Sequence, residues 1–114
     1  MVLNNSASRV TRIRNLNDHF RRTMLGGKYV LTLGIRMLGS DAVAEVLRKV
    51  RTFDEFNVAN DPHHEHDFGS FMHDGQKIFW KIDTYDKNLE FHSSDPSDPY
   101  KTMRILTIML AEEY

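Results

Sequence analysis

From about Ser6 to Leu25, apolar residues fall at Val10, Ile13, Leu16, Phe20 and Met24, the three-to-four spacing of an amphipathic helix. Gly26–Gly27 supplies its stop, because glycine takes the left-handed cap conformation at no steric cost. Residues 1–5 lack this period and are expected to be disordered. The run KYVLTLGI (28–35) is β-branched and aromatic with no helical stripe, and predicts a strand. A second helix is expected over DAVAEVLRKVRTF, with Ser40 as N-cap and Asp41 at its positive end. Val43, Val46, Leu47, Val50 and Phe53 form its apolar stripe, and Arg48, Lys49 and Arg51 gather in its last turns, where cations are stabilised.

A polar loop, DEFNVANDPHH, follows, with an Asn-Asp-Pro turn signal. Beyond it, HDFGSFMH and QKIFWKID flank Asp74–Gly75, the signature of a type I′ hairpin. A two-residue turn there sets His73 opposite Gln76, Phe71 opposite Ile78, Gly69 opposite Trp80 and Asp67 opposite Ile82. Ile78, Trp80, Ile82 and Phe71 then share the core face, and Gly69 leaves room for the indole. DTYDKN predicts a second turn and LEFH (89–92) a short third strand. Asp98–Pro99 reads as N-cap and first residue of a closing helix, 99–114, apolar through ILTIML. The order α-β-α-β-β-β-α describes one α+β domain, a small, mainly antiparallel sheet with about three helices packed on it.

A length of 114 residues suits one such domain. With no cysteine, disulfides, thiolate nucleophiles and cysteine-based zinc sites are excluded. The start MVLNNSASRVTRIR has no signal-peptide core and no run reaches membrane-spanning length, so a cytoplasmic protein is expected. The net charge of −1 conceals an asymmetry. Residues 1–53 carry ten Lys/Arg against three acids, and residues 54–100 carry eleven acids against three lysines. Such poles either neutralise each other within the fold or present one sign to a partner. The arginines of the first helix scatter around its solvent side, which makes nucleic acid the weaker partner reading.

Two kinds of chemistry are open to NDPHHEHDFGSF (60–71). On a strand, His64 and His66 would project from one face, with Asp83 or His92 as a third metal ligand. A metal held by this His63–Asp67 cluster would make the protein a metal-dependent hydrolase or a metal-binding protein. Alternatively, Asp67 on the core face would be desolvated into an acid–base group, with Glu65 and Asp83 beside it. No nucleotide cradle or nucleophile elbow is present, and no cofactor is expected.

NDPHHEHDFG, FWKIDTYD, SDPSDP and LTIMLAEEY, with LNDHFRRT near the start, resemble domain-of-unknown-function family 3768 over roughly residues 12–114. That bacterial family is typical of alphaproteobacteria and is often found on plasmids and other mobile elements. The resemblance implies a bacterial cytoplasmic protein and transfers no catalytic residue. Where His63 and His64 stand here, the family commonly has Tyr-Gly or His-Gly, which weakens these two as obligatory ligands. The expected function is a non-enzymatic protein-interaction module, a mobile-element modulator of host machinery such as a CRISPR or restriction complex. Its docking groups would be the acids Asp61, Glu65, Asp86 and Glu90, or an apolar patch of Phe68, Met72 and Phe79 if no helix covers that face.

Overall fold

The computed structural model describes residues 5–114. The disorder expected for residues 1–5 concerns positions outside this range, apart from Asn5, which opens the first helix. Helix α1 (Asn5–Thr23) buries Ile13 and Phe20, as its period requires, and Asn17 and Arg21 on the same face. Strand β1 (Gly27–Leu31) is shorter than expected, because residues 33–36 turn into a short helix, α2 (Leu33–Arg36). The Glu113 carboxylate drives that break. It accepts bonds from the Thr32 hydroxyl (2.6 Å) and the Gly34 N–H (3.0 Å), the latter a first-turn donor with no partner inside the helix. Helix α3 (Ser40–Arg51) follows the predicted stripe, with Val46 and Val50 buried, but its N-cap is Gly39 at φ 95°, not Ser40.

Strands β2 (Phe68–His73) and β3 (Gln76–Tyr85) form the expected hairpin in the expected register. Asp74 (φ 49°) and Gly75 (φ 79°) make its turn. The Ile82 N–H donates to the Asp67 carbonyl (2.8 Å), so the two remain opposite beyond the ladder's end. A Cβ on Gly69 would stand 2.5 Å from the Trp80 indole nitrogen, which confirms why glycine is there.

The C-terminal third departs most from expectation. Residues 89–92 form no strand: they sit in a turn, with only His92 bridging back to Tyr85. Asp98 starts no helix, and its carboxylate instead accepts the Tyr100 N–H (2.9 Å) in a turn. The apolar run is strand β4 (Met103–Leu110), followed by a 3-10 turn (Ala111–Glu113). β4 lies between β1, which it joins in parallel, and β3, antiparallel, in the order β1-β4-β3-β2. Central position explains its near-continuous hydrophobicity, which periodicity alone does not separate from a buried helix. The class is α+β, with a mixed sheet.

One face of that sheet carries the core. Ile78, Trp80, Ile82, Leu106, Ile108 and Leu110 meet Phe20, Ile35, Val46 and Val50 from the helices and Phe53 just beyond α3. Each of these strand residues alternates with one on the opposite face.

Candidate functional site

His66 lies in the loop before β2, not on a strand, and both His64 (φ 59°) and His66 (φ 54°) have left-handed backbone. Strand alternation therefore does not align their rings. The His66 ring stacks on Phe56 at 3.7 Å, and its Nδ1–H donates to the buried Asp18 carboxylate (2.9 Å). Its Nε2 lies 3.5 Å from Asp61 Oδ2, and its backbone N–H donates to Asp61 Oδ1 (3.0 Å). A cavity of about 240 Å³ opens beside it, lined by Phe56, Asn57, Val58, Asp61, His64 and His66.

This histidine belongs to a polar clamp that fastens α1 to the rest of the domain. Arg21 donates to Asp18 (3.1 Å) and to the terminal α3 carbonyl of Val50 (2.8 Å), with its guanidinium over Phe56 and Trp80. Asn17 donates to the Glu65 carbonyl (2.9 Å) and accepts from Arg104 Nε (2.7 Å). Burying these side chains is tolerable because each makes hydrogen bonds, Arg21 through its two terminal nitrogens while its Nε has no partner. Asn17, Asp18, Arg21 and Arg104 were missed as site residues. A signal existed: Asn17 and Arg21 fall within the stripe of Ile13, Phe20 and Met24, polar groups where apolar ones were due.

The four expected metal ligands are not gathered. His66 is held by Asp18 and Asp61, and His64 is exposed. Asp83 accepts from Lys81 (2.7 Å), and His92 stacks on Tyr85. Among the described residues no three His, Asp or Glu side chains are arranged to hold a metal ion. Burial pushes the Asp67 carboxyl above its ordinary value, with Asp61 and Asp83 adding to the rise, and burial likewise raises Glu65.

The acids expected on a docking surface are largely engaged. Asp61 is buried, a correction to its placement at the surface: a carboxylate serving His66 must leave solvent. Glu65 and Asp86 are half-buried, and Asp86 Oδ1 accepts the Asn88 and Glu90 N–H groups (3.1 Å each) that shape its turn. Glu90 is exposed. Several basic groups are also spent: Arg9 pairs with Asp95, Arg48 with Glu45, and Arg14 donates to the His64 carbonyl.

The apolar patch is assembled on the sheet's outer face. Phe68 and Phe79 have ring centroids 5.2 Å apart, and Tyr114 stands edge-on to both. Met72 is 58% exposed, and Val30 and Ile105 extend the same face across β4 and β1. Lys28 and Lys77 are exposed on this side, with the Lys77 ammonium over the Phe79 ring at 5.6 Å. The helix residues of the core cluster, Phe20, Ile35, Val46 and Val50, meet the other face.

No helix among the described residues is long and apolar enough to cross a membrane. No curated protein and no solved structure matches the chain. LNDHFRRT precedes the segment that a family model matches. That match runs over residues 31–113, most of the chain, and the protein thereby belongs to the family described as "Protein of unknown function (DUF3768)".

Proposed function

We propose that the protein is a non-enzymatic interaction module that docks a protein partner on the outer face of its sheet. One observation carries this reading: the core helices pack on a single face, leaving Met72 and Val30 exposed and Phe68 and Phe79 half-buried as an apolar surface on the other. Exposed apolar patches with a polar rim mark interaction sites. The partner it fits has an apolar patch bordered by carboxylates, which Lys28 and Lys77 would meet. The family resemblance suggests a bacterial cytoplasmic setting on mobile elements, where such a partner would belong to host machinery such as a CRISPR or restriction complex.

The test compares wild type with Met72→Glu/Lys77→Glu, two exposed positions whose change leaves the core intact. A partner recovered by the tagged wild-type protein from host extract is purified and its binding measured directly. Binding should be lost in the double variant and kept in Glu90→Lys. Equal affinity for the double variant, or exchange protection confined to the helical face, would overturn the reading.

A further inference from the structure

We infer that β1 pairs with the β1 strand of a second copy of this chain, antiparallel across a twofold axis. The sheet has two edges, and they are treated differently. At the β2 edge the Lys49 ammonium donates to the Met72 carbonyl (3.3 Å), blunting the strand. At the β1 edge Lys28, Tyr29 and Val30 are all exposed, with Lys28 the single charge and no proline or bulge among Gly27–Leu31. Natural edges are normally guarded more heavily than by one lysine, and a row of unpaired backbone groups is a template for another strand. Around it stand Leu25, Leu33 and Met37, 66–77% exposed.

Backbone direction indicates the occupant. The Thr32 N–H donates to the Ile108 carbonyl (3.1 Å), so by strand alternation Lys28 and Val30 also turn their backbone groups toward β4. Gly27, Tyr29 and Leu31 turn theirs outward. That set is symmetric about Tyr29. In an antiparallel pair centred there, Tyr29 exchanges bonds with its own copy and Gly27 with Leu31, so every outward residue finds a partner. Lys28 then faces Val30 of the copy, and the strand's only charge never meets itself. The same register carries the Leu25 end of one chain to the Leu33 end of the other, covering apolar residues that stand in water. A generic strand would satisfy the backbone alone, whereas a second copy also keeps the two lysines apart and matches both flanks.

The experiment uses the full chain and reads molar mass by light scattering against concentration. Wild type should reach twice the 13.3 kDa of one chain. Tyr29→Lys and Tyr29→Glu should each stay at single-chain mass, since like charges would meet on the axis, and an equal mixture should regain the dimer. Tyr29→Cys adds the only thiol to a chain that has none. Facing Cα atoms about 5.5 Å apart lie within disulfide reach, so mild oxidation should link two chains through Cys at 29 but not through Lys28→Cys. A wild-type chain that stays at single-chain mass to its solubility limit overturns the inference. So does a dimer that survives both charge variants, or cross-linking equally efficient at 28 and 29.

Discussion

Asp74 and Gly75 show how much a single dipeptide can determine. Both have positive φ, and a turn of that type fixes which residue faces which along two strands, so the register, the core face and the gap at Gly69 were legible from sequence. Gly75→Val puts a β-branched side chain at φ 79° and should cost about 1–3 kcal/mol, read as a fall in the urea midpoint at unchanged slope. Gly69→Ala should cost a similar amount, about 1–3 kcal/mol, for a different reason: its methyl meets the Trp80 indole and the Phe53 ring inside a packed core. Asp67 is a third residue whose behaviour follows from placement. Its carboxyl is raised above the ordinary 3.8 chiefly by burial, so the folded chain holds that proton more tightly than the unfolded chain. Folding is then penalised as pH rises through the folded value, and relieved in acid. Asp67→Asn should therefore raise the melting temperature at pH 7, and the gain should vanish as pH falls below about 3.8. A loss of stability at pH 7 would mean that the charged form makes contacts that outweigh its desolvation.

Among the elements, those with a local cause were readable and those with a distant one were not. α1, α3 and the hairpin follow from period, glycine and turn chemistry within their own segments. β4 does not. MRILTIML is apolar because strands flank it on both sides, and its neighbours β1 and β3 lie far off in sequence. Ile105, Thr107 and Ile108 were the available clue, since β-branched residues favour strands, but length and an apparent N-cap at Asp98 outweighed it. The His66 clamp failed for the same reason: its orienting carboxylate, Asp18, sits on another element entirely. Helix α2 is a further case, because its cap comes from the opposite end of the chain. Removing that cap with Glu113→Ala should cost about 1–2 kcal/mol, within the range for lost N-caps. The Thr32 hydroxyl, then the Leu110 and Gly34 N–H groups, hold the Glu113 carboxyl below its ordinary 4.5. Its contribution is present above that pH and lost as pH falls through the folded value. The stability gap between wild type and Glu113→Ala should accordingly close in acid, which thermal melts across pH 3–7 would show.

At the scale of the whole molecule, the two charge poles of the sequence are joined by one ion pair among the described residues, Arg9 with Asp95. Arg21 instead pairs with Asp18 inside α1 and Asp61 faces His66 inside one loop, so most of these contacts are made within a pole. A one-sided helical layer leaves a face that the hydrophobic pattern marked but did not resolve as covered or open. These two outcomes make a joint prediction about association. If binding ran through an acidic pole, Glu90→Lys would slow it at low salt, whereas Asp86 cannot be used as a clean probe because its carboxylate holds a turn together. Docking on the outer face puts the steering charge at Lys77, exposed beside Phe79. With the purified partner, Lys77→Glu should slow association at low ionic strength, and the difference should shrink once added salt shortens the screening length to a few ångströms. Glu90→Lys should leave the rate unchanged at either salt. Stopped-flow rates for these two variants would decide the matter, since a slowed Glu90→Lys beside an unaffected Lys77→Glu moves the docking surface from the sheet to the acidic turn.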